Sequence, residues 1–176
     1  EKGYFGTRIT DITQIAGISK GNFYRYFNNS DEVFRLIVRD VTVKLFEASQ
    51  SKDIKGTFYE KLELSTKRLF HVMLENVDIY KVLLQVAHYD EEFYQLWKEL
   101  REPFYRRVRN GLEKVTLPEE IDKDYAATAL LSMVSHFTDT WIVLGGDSLD
   151  KEFDIDSAAK TVAAIWYHSI FSKSSS

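Results

Sequence analysis

The sequence predicts an all-α protein, and three observations support this class. The 176 residues include only 2 prolines and 8 glycines, which favours long helices over a turn-rich β architecture. Apolar residues recur three and four positions apart along nearly the whole chain, as they do on one face of a helix. With 44% hydrophobic residues, a chain of this length can bury a core as one or two domains. We expect an N-terminal domain over residues 1–48 and a larger helical domain over residues 49–176.

The first predicted elements are two short helices separated by a glycine. Residues 9–16 place isoleucines on one face, and Gly17 can adopt the left-handed conformation that ends a helix. Ser19 is a suitable N-cap for the second helix, in which Phe23 and Phe27 recur four residues apart and point into a small core. Two short helices around a tight turn predict a helix-turn-helix, whose second helix is of the kind that enters a major groove.

The second helix has a composition suited to a DNA surface. A glycine lets the backbone approach DNA closely, and an asparagine amide can meet an adenine edge or a phosphate. Phenol hydroxyls suit phosphate oxygens, and interleaved cations supply charge. The alternative is an aromatic-rich surface helix that packs on a partner protein. The candidate DNA-binding residues in this stretch are Lys20, Gly21, Asn22, Tyr24, Arg25 and Tyr26.

A third helix is expected to begin at Asn29 or Ser30, because acidic residues follow in its first turn. The polar segment at 49–56 then ends in a glycine and is the expected joint between the two domains. The predicted apolar face of the third helix consists of Val33, Phe34, Ile37, Val41 and Leu45.

The middle of the chain is expected to hold an effector site, because aromatic residues recur there at helical spacings. Pro103 lies inside a helical pattern, where a proline removes one backbone hydrogen bond and kinks the helix, as occurs where helices separate around a cavity. The alternative for many of these residues is plain core, and for the histidines a structural role. The expected ligand is largely apolar and bulky. The candidate ligand-binding residues are Phe70, Met73, Tyr80, Leu84, His88, Phe93, Trp97, Phe104, His136, Phe137 and Trp141.

The last two predicted helices are apolar around most of their circumference. Such a helix must be covered on nearly all sides, and a chain of this size has few other helices to cover it. A two-fold four-helix interface between two subunits would do so. The candidate dimer-interface residues are Ala127, Leu131, Val134, Ala158, Val162, Ile165 and Trp166.

The stretch "GYFGTRITDITQIAGISKGNFYRYFNNSDEVF", residues 3–34, resembles the DNA-binding segment of TetR-type transcriptional repressors. The later stretch "AATALLSMVSHFTDTWIVLGGDSLD" and the final helix resemble, more weakly, the helix pair by which these repressors dimerise. The positions that match the family pattern are Thr7, Asp11, Ile12, Ala16, Gly17, Ser19, Lys20, Gly21, Tyr24, Tyr26 and Phe27. The resemblance implies that Thr7, Lys20, Tyr24 and Tyr26 contact phosphates, and that Gly21 and Asn22 lie nearest the bases.

Three departures from that pattern stand out. The family has a whole helix upstream of the "EKGYFGT" at which this sequence begins, so the helix-turn-helix is expected to have an open core. Thr13 stands where the family has alanine, a modest packing change, and Ser30 stands where it has a lysine that contacts phosphate.

Composition and motifs exclude several other classes. The chain has a net charge of −4, but residues 1–46 carry seven basic and five acidic side chains, a mild bias toward an anionic partner at that end. The absence of cysteine fits a reducing compartment, and there is no apolar run long enough for a membrane helix and no signal segment, so we expect a cytoplasmic protein.

The sequence contains no nucleotide-binding glycine loop and no H-E-x-x-H motif, so we expect no enzyme, no catalytic residues and no cofactor. The acids of "HYDEEF", residues 88–93, fit an ordinary helix N-terminus, and we expect no metal site there.

These features together predict a homodimeric, ligand-responsive transcriptional regulator. We expect it to repress from a palindromic double-stranded DNA operator and to be released by a small hydrophobic effector. The alternative is a helical small-molecule-binding or adaptor protein that does not bind DNA.

Overall fold

The computed structural model describes residues 3–87, 90–148 and 150–171, and every regular element in these ranges is helical. The prediction of an all-α fold is therefore confirmed. The π-helical turn at Asp139–Val143 directly continues the eighth α-helix. The α-helices are α1 (Gly3–Gly6), α2 (Ile9–Ile15), α3 (Lys20–Tyr24), α4 (Ser30–Ala48), α5 (Phe58–Glu75), α6 (Val77–Ala87), α7 (Glu91–Leu112), α8 (Lys123–Thr138) and α9 (Ile155–Phe171).

Helices α2 and α3 form the predicted helix-turn-helix. Gly17 has a φ of 66°, the left-handed conformation that a residue with a side chain rarely adopts, and it turns the chain between the two helices. The Ser19 side chain accepts a 3.1 Å hydrogen bond from the backbone N–H of Asn22 and so caps α3. The predictions for these two residues are confirmed.

The apolar face predicted for α2 is only partly covered. Ile9 and Ile12 are half-buried, whereas the Ile15 side chain is 89% exposed. Thr13, at the position that departs from the family pattern, is the residue of α2 that is buried. The core of the helix-turn-helix is therefore open on the side of Ile15.

Helix α4 connects the helix-turn-helix to the rest of the chain. Asn29 is its N-cap and accepts a 2.9 Å hydrogen bond from the Glu32 backbone N–H. The buried face of α4 consists of Phe34, Val38, Val41 and Leu45, which are spaced four, three and four residues apart. The prediction of Ile37 on this face was wrong: a four-residue step from Phe34 brings Val38 inward and leaves Ile37 exposed.

The other helices pack into a body around three apolar clusters. The first cluster combines Val41 and Leu45 of α4 with Phe70 and Met73 of α5 and with residues of α9. The second brings the first half of α4 against α6 and α7, and the third joins α7 to α8. Because α4 contributes to the first two clusters, its position depends on how the helices of the body pack. Among the described residues, no helix is both long and apolar enough to cross a membrane.

Candidate DNA-binding surface and effector cavity

Helix α3 presents the predicted DNA-binding side chains to solvent. The Tyr24 and Tyr26 side chains are 55% and 71% exposed, Lys20 and Arg25 are also exposed, and Asn22 is half-buried. No hydrogen bond or ion pair within the described part of the chain occupies the side-chain polar groups of these five residues. Their N–H and O–H donors are thus available to an external anion.

Helix α3 is anchored from its opposite face. Phe23 is almost fully buried, and its ring lies 5.5 Å from that of Phe27 between centroids. Gly21 is exposed, and a methyl group added there would meet only the Ser19 hydroxyl, at 3.9 Å. The absence of a side chain at Gly21 therefore leaves the outer surface flat rather than relieving a clash within the protein.

Thr7, which only the resemblance implicates in DNA binding, lies just after α1. Its hydroxyl donates a 2.6 Å hydrogen bond to the Gly3 carbonyl, and the residue is exposed. Because its single O–H donates to Gly3, the Thr7 hydroxyl would have to leave that carbonyl before it could donate to a phosphate. It does not contact α3 through any described hydrogen bond.

The junction between α4 and α7 is built from three aromatic rings and one cation. The Phe34 and Phe93 ring centroids lie 5.5 Å apart, and Tyr4 lies 5.2 Å from the first and 5.7 Å from the second. The Arg35 guanidinium lies 4.5 Å above the Phe93 ring and pairs with Glu92. Burial and the 2.6 Å hydrogen bond that the Tyr4 hydroxyl donates to Asp31 raise the pKa of Tyr4.

Sequence reasoning assigned Phe93 to the effector site and missed this junction. Ion pairs join Arg35 to Glu92 and, one turn further along α4, Arg39 to Glu99 at 3.2 Å. Arginines four residues apart and glutamates seven residues apart are each on one helix face. The matching arrangement of arginines on α4 and glutamates on α7 is the sequence signal that could have indicated that these two helices pack together.

A cavity of about 780 Å³ lies between the end of α4 and helices α5, α7, α8 and α9. Pro103 and Phe104 both line it, so the proline predicted to lie beside a cavity does so. Of the predicted ligand-binding residues that the structure describes, only Phe104 lines this cavity. Leu84 and Trp97 instead line a second cavity of about 700 Å³, together with Asp139, beside the first turns of α7.

The remaining predicted ligand-binding residues lie in several kinds of place. Phe70, Met73 and Phe93 are buried in the apolar clusters, and core packing accounts for their periodicity. Tyr80 and Phe137 pack against those clusters, and burial raises the pKa of Tyr80 to about 12. Trp141 stacks on Phe137 with ring centroids 6.3 Å apart, His136 is exposed, and His88 lies outside the described residues.

The predicted dimer-interface residues divide between an inner and an outer face. Ala127 and Val162 are fully buried within the single chain, so they leave no surface for a partner and their assignment to the interface was wrong. Trp166 packs against the cluster of α7 and α8, and it lines the 780 Å³ cavity with Leu131 and Val134. Ala158 packs against the cluster shared by α4, α5 and α9, whereas Ile165 points outward and is 53% exposed.

Comparison with known proteins finds similarity along most of the chain. The model of the family described as "Bacterial regulatory proteins, tetR family" matches residues 1–37. The HTH-type transcriptional regulator TtgR of Pseudomonas putida is 25% identical over 177 aligned positions, covering 92% of this chain and 82% of TtgR. The fatty acid metabolism regulator protein of Bacillus subtilis is 21% identical, covering 98% of this chain and 90% of that protein.

The fold is also that of a solved regulator. The crystal structure of the TetR family transcriptional regulator PfmR from Thermus thermophilus aligns with a TM-score of 0.64 at 22% identity. The alignment covers 94% of this chain and 90% of that one. The likeness therefore extends over the helix-turn-helix and the helical body together.

Proposed function

We propose that this chain, a helix-turn-helix transcriptional regulator of the TetR type, is a repressor that binds a palindromic operator and leaves it when a small effector fills its cavity. The observation that carries this proposal is the row of exposed phenols and cations on α3 and the two residues after it, whose polar groups form no described hydrogen bond or ion pair. Phosphate contacts from such side chains position a protein on DNA, and Asn22 is placed to read a base edge.

Helix α4 supports a route from the cavity to the DNA surface. Phe46 and Ser49, at the end of α4, line the 780 Å³ cavity, while Asn29 at its beginning follows directly on the helix-turn-helix. A ligand that favours one position of α4 changes the spacing of the two recognition helices in a dimer. Coupling free energies of about 1–3 kcal/mol are typical of such linkage and arise from differential affinity alone.

The outward faces of α8 and α9 support a two-fold dimer. Tyr125 and Ile165 are large exposed side chains on these two helices, and the positions around them carry small residues such as Ala129 and Thr161. Small side chains let helices from two subunits approach closely. A C₂ dimer of this kind presents two α3 helices, which matches the symmetry of a palindromic operator.

This activity consists of binding alone, with DNA and a small molecule as partners. Because the proposed activity is binding without a chemical step, we propose that the chain is not an enzyme and uses neither a cofactor nor a metal. We further propose that it acts in the cytoplasm, where bacterial DNA lies.

Two substitutions on α3 test the assignment of DNA contacts. Tyr24→Phe removes one phosphate hydrogen bond and is expected to weaken binding to all duplexes by a similar factor of about tenfold or less. Asn22→Ala removes a base contact and is expected to change which sequences are preferred. Selection from a random duplex pool, followed by affinity measurements on the selected operator and on scrambled DNA, separates the two effects.

Tyr94→Phe provides the matched control, because Tyr94 is an exposed tyrosine of α7, away from α3. It should leave both affinities unchanged. Equal losses on operator and scrambled DNA for Asn22→Ala would rule out its role as a base reader. A parent protein that selects no duplex from the pool would contradict the proposed DNA-binding function itself.

A further inference from the structure

Arg107 of α7 lacks the acidic partner that its neighbours have. Arg106 pairs with Glu102, and Arg109 pairs with Glu113 and Asp124. The Arg107 guanidinium instead donates a 2.7 Å hydrogen bond to the Ser49 hydroxyl and lies 5.4 Å from the centre of the Phe46 ring. No carboxylate among the described residues forms an ion pair with it.

The position of this cation makes the missing partner significant. Arg107 is half-buried in the wall of the 780 Å³ cavity, and desolvation lowers the pKa of its guanidinium. An arginine nevertheless stays protonated in a protein. A positive charge that is partly removed from water and unpaired is unfavourable, and an anion in the cavity would relieve that cost.

The rest of the cavity has the same chemistry. Five basic residues line it against one acidic residue, Glu102, although the chain as a whole has a net charge of −4. The three lysines among them, Lys52, Lys61 and Lys114, form no described ion pair. The rest of the wall combines small polar side chains with large apolar ones, which include Leu62, Leu69, Phe104, Leu131 and Trp166.

We propose that the effector is an amphipathic anion, with a carboxylate or phosphate head at Arg107 and an apolar chain against the leucines and aromatic rings of the cavity. This inference adds the chemical class of the ligand to the proposed function. It rests on that function in treating the bound molecule as an effector. It also adds a charged head to the sequence-based expectation of a largely apolar, bulky ligand. That expectation had no place for a charge because the predicted lining consisted mostly of aromatic and aliphatic side chains.

Arg107 also connects the ligand to α4. Ser49 is the C-cap of α4, and its hydroxyl donates a 2.7 Å hydrogen bond to the Phe46 carbonyl while accepting from Arg107. An anionic head competes with Ser49 for the guanidinium. Binding of the anion therefore changes the contact that ties the end of α4 to α7.

Titration calorimetry on the full chain tests the proposal with three probes of equal chain length. Dodecanoate and dodecyl phosphate carry the two candidate heads, and dodecan-1-ol carries none; all are used below their aggregation concentrations. We expect the better of the two anions to bind about tenfold or more tightly than the alcohol. Whichever anion binds more tightly identifies the head as carboxylate or phosphate.

The variant Arg107→Met keeps an unbranched side chain in the wall but removes the charge. It is expected to lower the affinity for the preferred anion about tenfold or more and to leave the affinity for dodecan-1-ol within about twofold. Arg107→Lys should retain most of the preference for the anion. Arg106→Met is the matched control, because Arg106 lines the same cavity but is exposed and paired with Glu102, and it should change neither affinity by more than about twofold.

Two results would overturn the proposal. One is equal affinity of the parent protein for the alcohol and both anions, which requires no variant to fold. The other is a folded Arg107→Met protein that binds the preferred anion as tightly as the parent. A separate measurement of operator release distinguishes this anion site from the proposed function. If anion binding depends on Arg107 but does not release DNA, the site is supported and the proposed release of the operator by an effector is contradicted.

Discussion

Replacing Ile165 by glutamate is expected to give a folded monomer that no longer binds its operator. Ile165 is 53% exposed in the subunit, so the substitution leaves the subunit core intact. In the proposed dimer, however, it places a carboxylate from each subunit in the desolvated interface formed by the outward faces of α8 and α9. Burying an unpaired charge costs several kcal/mol, which is about enough to dissociate a dimer that has this single interface. Because operator affinity requires two recognition helices, DNA binding should be lost with the dimer.

Light scattering at several protein concentrations, together with circular dichroism, measures this result. Val43→Glu is the matched control, because Val43 is 55% exposed on α4. This variant should still have the mass of a dimer. Ile165→Arg should dissociate the dimer as well, which excludes an accidental ion pair as the explanation for either variant. If the Ile165→Glu protein is still a dimer by light scattering, the dimer interface does not include Ile165.

Trp166 does not serve for this test, although the sequence places it one residue away. Its side chain packs against the cluster that contains Leu112, Ala127 and Leu130. A charge at Trp166 would destabilise the subunit itself. Loss of the dimer would then follow from unfolding, and it would not test where the dimer interface lies.

The helix-turn-helix could be predicted in detail because its determinants are local. Gly17 needs a left-handed φ, Ser19 needs a donor three residues later, and Asn29 caps a helix with acids in its first turn. Each of these constraints acts within four residues. The sequence alone therefore contains the information that specifies them.

The cavity could not be predicted in the same way because it depends on which helix faces meet. Periodicity correctly marked Phe70 and Phe93 as inward-facing, but it does not distinguish a core from a ligand-lined wall. Arg106, Arg107 and Arg109 look alike in the stretch "YRRVRN". Arg106 and Arg109 have a glutamate four residues away on the same helix. Only the tertiary arrangement directs Arg107 to Ser49 and the cavity.

The junction at Phe93 is where we expect the largest loss of stability. The ring is fully buried and contacts Tyr4 and Phe34, and the Arg35 guanidinium lies over its face. Phe93→Ala therefore removes the ring at the centre of the aromatic group that holds the first turns of α4 against α7. Truncation of a buried phenylalanine typically costs about 3–5 kcal/mol, a large part of the stability of a domain.

Urea unfolding at a fixed protein concentration measures the loss, since the stability of a dimer depends on concentration. Tyr94→Ala is the matched control on the next residue of α7, where the ring is exposed, and it should cost about 1 kcal/mol or less. Phe93→Leu should fall between the two, because it refills part of the space. Because Phe93 holds α4, the folded fraction of Phe93→Ala should also bind the operator less tightly than the parent. Equal costs for Phe93→Ala and Tyr94→Ala would mean that the later contacts of α4, at Val38, Val41 and Leu45, hold it without Phe93, and that the aromatic junction does not fix the helix-turn-helix to the body.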